Sequence, residues 1–156
     1  MDAQQHLPTV KKVSAFITHG DQLLVFRKPH HPGTGTQVPA GTIEPGETPE
    51  DAVLREAWEE SGLTGFHLCG LLDHQVVDMR AYGCDELHDR WYFHLLSPST
   101  VQRAWRHGES CPSSGAEEFI AFDFFWIDVD RAAHELRAEN HTALQVLSHR
   151  LVSGYD

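Results

Sequence analysis

VPAGTIEPGETPEDAVLREAWEESGL, residues 38–63, is the stretch on which the fold and the chemistry turn. Its second half has the marks of a short helix. Thr48 is an N-cap residue, and Pro49 follows at N1, where a missing N–H costs nothing. Asp51 completes a capping-box-like start and complements the helix dipole. Gly62 suits the C′ position, with Leu63 as its apolar contact. The helix is therefore predicted over 49–61, with Val53, Leu54, Ala57 and Trp58 as its apolar arc. Glu56, Glu59 and Glu60 fall on another face, within roughly 100° of arc. Such carboxylates repel one another, and Arg55 is the one cation beside them. Oxygen donors crowded in this way suit a hard divalent cation, Mg²⁺ or Mn²⁺. A solvated acidic face is the plainer explanation of a charge run. What precedes the helix argues against it: Gly41 and the Pro45-Gly46 turn force a compact loop whose backbone lies near the glutamates.

Gly41, Glu47, Arg55, Glu56, Ala57, Glu59, Glu60, Gly62 and Leu63 together resemble the Nudix box. Seven of these are fixed identities, which chance would assemble at roughly 10⁻⁸ per starting position. Ala57 is smaller than the usual aliphatic residue. Ala40 stands where many members have a second glycine, a form similar to some nucleoside diphosphate-sugar hydrolases. The resemblance implies a Nudix fold, an α/β architecture with a mixed sheet sandwiched between helices, filling residues 1–156 as one domain. It also implies metal-dependent pyrophosphohydrolase activity. Glu59 and Glu60 would be metal ligands with the Ala40 carbonyl, and Glu56 a ligand or the group that deprotonates water. Arg55 would hold the glutamates, together with Glu47. Family members often draw a further carboxylate from a loop. Here Glu117 and Glu118 are the candidates, Glu118 slightly favoured, with Asp85, Glu86 and Asp89 behind them. Arg27, Gly41 and Glu47 are the expected substrate contacts.

The rest of the chain agrees with an α/β fold. Strands are predicted at 12–18, 22–26, 66–78, 90–96 and 119–127, with an extended segment at 37–39 and a closing helix at 131–152. Ala133, Leu136, Leu144, Leu147 and Leu151 are expected on that helix's buried face. Residues 97–116 read as one long loop, a candidate substrate lid. Within it Arg103, Trp105 and Arg106 are candidates for stacking and phosphate pairing, Trp105 more simply as an anchor. His30, His31 and Tyr82 are weaker candidates.

The net charge of −11 leaves no basic surface for extended nucleic acid or an anionic membrane. No run of about 18 apolar residues is present, so no membrane span is expected. The first residues lack an apolar signal core, and Cys69, Cys84 and Cys111 show no paired spacing, which fits a cytoplasmic protein. The expected ligand is a small nucleoside diphosphate derivative: a nucleotide sugar, ADP-ribose or a nucleoside triphosphate. Hydrolysis of dinucleoside polyphosphates or capped RNA, nucleotide sensing without catalysis, and isoprenoid diphosphate isomerisation are the other readings. A homodimer is left open.

Overall fold

The computed structural model describes residues 6–98, 100–110 and 119–153. A mixed sheet runs through it. β1 (Thr9–His19) and β2 (Gln22–Arg27) form a hairpin across Gly20, whose positive φ of 62° is what a tight turn demands. The hairpin pairs only at its closed end, Thr18 with Leu23 and His19 with Gln22. Beyond it the strands splay. β3 (Ala40–Thr42) fills the gap, pairing antiparallel with Lys12 to Ser14, while Gln37 bridges to Phe26. This wedge sets the backbone of residues 37–42 at the open end of β1. On its other edge β1 pairs in parallel with β5 (Leu87–Leu96). β4 (His67–Asp78) and β7 (Phe119–Asp128) continue the sheet outward, and β6 (Ala104–Ser110) closes it, in the order β4-β5-β1-β2-β7-β6.

Alternation along the central strands sends apolar side chains to both faces. Val13, Ala15, Ile17, Leu24, Phe26, Phe93, Leu95, Phe122 and Phe124 pack under α1 (Pro49–Ser61). Phe16, Leu23, Val25, Tyr92 and Ile127 pack against α2 (Val129–Glu135) and α3 (His141–Ser153) on the opposite face. The predicted sandwich of a mixed sheet between helices is the observed one. Among the described residues no helix is long and apolar enough to cross a membrane.

Three expectations need correction. The loop expected over 97–116 contains β6, so residues 104–110 are an edge strand and not part of a lid. Residues 111–118 lie outside the described residues. The closing helix is two helices. Leu136 is extended, with φ −92° and ψ 155°, and a 3₁₀ turn (Ala138–Asn140) separates α2 from α3. The Asn140 amide donates to the Arg137 carbonyl at 3.3 Å, a local bond that competes with helix continuation. Ala133 is consequently exposed, and Ala132 takes the core position. On α1 itself, Trp58 is 52% exposed, whereas Ala52, Val53 and Ala57 are buried.

Candidate active site

α1 starts and stops as its capping residues require. Thr48 Oγ1 accepts from the Asp51 amide at 3.1 Å, and Gly62 adopts φ 79° while its N–H donates to the Trp58 carbonyl. Two side chains from β6 secure the last carbonyls. Trp105 Nε1 donates to Ser61 O at 2.8 Å, and His107 Nδ1 donates to Glu60 O at 2.8 Å. A carbonyl oxygen can only accept, so His107 carries its proton on Nδ1. A Cβ on Gly62 would come within 2.8 Å of the His107 ring, a second reason for glycine there. His107 escaped the sequence reading. The alternation of Trp105 and His107 against Arg106 was the available signal, obscured by Gly108 within a seven-residue strand. Trp105 is thus an anchor, as its plainer reading held. Arg106 is spent on Asp123 at 2.6 Å across the strand pair.

Glu56, Glu59 and Glu60 line one cleft of about 560 Å³ with Ala40, Gly41 and Arg55. Arg55 organises it. Its Nε and Nη2 grip both oxygens of Glu47 at 2.7 and 2.9 Å. Nη1 donates to Glu56 at 2.9 Å and to Glu59 at 3.0 Å, and Nη2 also reaches the Thr42 carbonyl at 3.0 Å. The planar guanidinium fork makes five such bonds possible, where a lysine could not. Glu60 turns to the loop instead: its Oε1 accepts from the Ala40 amide at 3.1 Å. Gly41 explains itself sterically, since a Cβ there would overlap the Glu56 carboxylate.

Two of the expected substrate contacts, Glu47 and Gly41, border Arg55 and Glu56. Glu47 has its carboxylate committed to Arg55 and to the Glu44 amide, and Gly41 acts by making room. Arg27, the third, bonds Thr36 Oγ1 and Glu135 at 3.0 Å each and lies over the Phe125 ring. Asp89 pairs with His74 and Glu86 with His88. Tyr82 lies beneath the Arg137 guanidinium, 4.3 Å away. His30 and His31 are exposed, as are Arg103 and Asp85. Glu117 and Glu118 fall outside the described residues.

Among the described residues no three His, Cys, Asp or Glu side chains converge as they would around an ion. The reason is visible: Arg55 and the Ala40 amide draw the three carboxylates in two directions. The donor set nevertheless fits a hard cation. Glu47, Glu56 and Glu59 share one guanidinium, so negative charge is in excess, and the cleared space at Gly41 lets Glu56 lie against the loop.

The Arg55 guanidinium, with the Glu44 amide second, holds the Glu47 carboxyl down at about 2 from an ordinary 4.5. Its partner Arg55 is pushed up in turn. A carboxylate depressed on folding contributes stability that is complete above its unfolded pKa and disappears as pH falls through the folded one. The thermal midpoint of Glu47→Gln should therefore lie below that of wild type by a constant margin above pH 4.5, and the gap should close between 4.5 and about 2. Melting curves at stepped pH check this; a margin insensitive to acid would separate Glu47 from the tether.

The family model for the NUDIX domain matches residues 8–147. The chain belongs to the Nudix family. It is 27% identical over 135 residues to NAD-capped RNA hydrolase NudC from Pasteurella multocida (strain Pm70), across 86% of this Nudix chain and 44% of that protein. The chain spans less than half the length of the curated relatives it matches. A MutT protein from Methanosarcina mazei Go1 superposes with a TM-score of 0.66 at 16% identity, over 93% of this chain and 96% of that one. An Ap4A hydrolase from C. elegans does so with a TM-score of 0.60 at 20% identity, over 92% and 98%. At such identities the structural likeness is one of fold.

Proposed function

We propose that this Nudix domain is a metal-dependent pyrophosphohydrolase that cleaves the diphosphate linkage of a nucleoside diphosphate joined to another group. The observation that carries the reading is the set of three α1 glutamates on one cleft wall, Glu56 and Glu59 held by Arg55 and Glu60 by the Ala40 amide, facing a loop cleared by Gly41. Glu59 and Glu60, with the Ala40 carbonyl, would hold Mg²⁺ or Mn²⁺, and Glu56 would hold the ion or take the proton of the attacking water. Bound there, the ion would neutralise diphosphate charge and acidify water. The chain's own part is to hold these groups ready. Glu47 keeps Arg55 in place, Arg55 keeps Glu56 and Glu59 on the cleft wall, and Trp105 and His107 fix the helix end that carries Glu60. Positioning of this kind costs no reorganisation during reaction.

The names of the relatives favour a second reading, hydrolysis of capped RNA 5′ ends or dinucleoside polyphosphates. The acidic balance of the chain weighs toward the small-molecule form of either substrate. A release assay decides between them. Phosphate and nucleoside monophosphate would be measured with Mg²⁺ or Mn²⁺ over nucleotide sugars, ADP-ribose, nucleoside triphosphates, dinucleoside polyphosphates and capped RNA. Turnover of nucleotide sugars or ADP-ribose is the expected result; silence on every substrate in protein shown to bind the metal would overturn it.

A further inference from the structure

Among the described residues β4 is an outer strand, paired on one side only, with β5. A bare strand edge is a template for another strand, and folded proteins guard such edges. The first half of β4 is guarded. Its register shifts between Leu68 and Gly70 and again between Leu71 and Asp73. Arg150 Nη2 from α3 also donates to the Leu71 carbonyl at 2.8 Å. The second half has no such shift: pairing with β5 runs evenly from His74 opposite Trp91 to Asp78 opposite Leu87.

One bond fixes the backbone direction along this half. The Met79 N–H donates to the Glu86 carbonyl at 3.0 Å, so residue 79 turns its backbone toward β5. Alternation gives Val77 and Gln75 the same direction and turns the N–H and C=O groups of His74, Val76 and Asp78 outward. The side chains of those three share one face of the strand. Val76, at their centre, is 59% exposed. The residues on either side of it are held in place. The His74 ring stacks on Trp91 at 4.2 Å between centroids, and its Nε2 donates to Asp89 at 2.6 Å. Asp78 accepts from Arg80 at 2.6 Å.

His74-Gln75-Val76-Val77-Asp78 is complementary to itself in one antiparallel register. A twofold axis through Val76 sets valine against valine and, on each side, an imidazole against a carboxylate. The three outward-turned residues then all fall in hydrogen-bonded pairs. Neighbouring registers lose this match. An axis at Gln75 or Val77 sets Val76 against His74 or Asp78, and an axis at Asp78 sets two carboxylates together. A foreign strand would have to reproduce the pattern that this chain already carries.

We propose that residues 74–78 are a dimerisation edge, on which a second copy of this chain adds its own β4 antiparallel about Val76 and continues the sheet across the axis. The inference is independent of the hydrolase reading. The contact is isologous and small, so the dissociation constant should be on the order of 10–100 µM. Sedimentation velocity of the whole chain tests it, at about 0.3 M salt to screen the charge of −11 on each copy. Between about 1 and 300 µM the mass should rise from one chain toward two. Val76→Lys and Val76→Glu each set like charges on the axis and should raise the dissociation constant at least tenfold. Position 76 is exposed, so both variants should melt at the wild-type temperature. Mixed in equal amounts they should associate again, because the axis sets position 76 against itself and so places ammonium against carboxylate. A one-chain mass at every concentration would overturn the proposal. So would a dimer that survives Val76→Lys, or a mixture of the two variants that stays monomeric.

Discussion

Glu59→Gln is expected to lower kcat by about 10²–10⁴-fold while leaving the fold intact, because a cation's stabilisation of transition-state charge amounts to several kcal/mol. Of the two glutamates bonded to Arg55 Nη1, Glu59 is the more exposed toward the cleft, at 39% against 13% for Glu56. Its contact with the protein is a half-exposed i,i+4 pair with Arg55, the kind that contributes about 0–1 kcal/mol. Glutamine keeps the oxygen that Arg55 bonds and removes the charge a cation needs. Melting temperature should therefore hardly move while turnover collapses and Mn²⁺ titration shows weaker binding. A wild-type rate in the release assay would remove Glu59 from the chemistry.

The largest stability effect is expected at Phe124. This ring is 1% exposed, stacks on Trp105 at 5.3 Å between centroids, and touches Phe26 and Phe122. Replacing it with alanine removes apolar area and leaves a cavity, at a cost of about 3–5 kcal/mol. That is a large share of the roughly 5–15 kcal/mol that holds a domain folded. The damage should travel, because Trp105 rests on Phe124 and also bonds the end of α1 at Ser61. Urea denaturation followed by tryptophan emission should show the midpoint fall sharply. A loss below about 1 kcal/mol would mean that β6 is not a working part of the core.

What could be read in advance follows from the range of the interactions involved. α1 was legible to the residue because its caps are local: Thr48 answers the Asp51 amide and Gly62 turns left-handed within the same short segment. The glutamate face follows from helix geometry, and so does its tie to Arg55. β6 was not legible, since its strand character comes from pairing with β7 and from Trp105 and His107 reaching α1, more than 40 positions away in the chain. The break at Leu136 was missed for a similar reason. No glycine or proline marks it, and the core position of Leu136 and the Asn140 bond decide it.

The sequence by itself determined the family, the sheet-and-helix class and the carboxylate-bearing helix, because each is encoded within a few turns of chain. Only the tertiary structure decided where those groups point. It set Glu47 against Arg55, Gly41 beneath the Glu56 carboxylate, and Arg27 against Glu135. Hydrogen bonds and close packing between distant segments have no local signature, and they appear only when strand register and helix breaks set side chains within about 3 Å of one another.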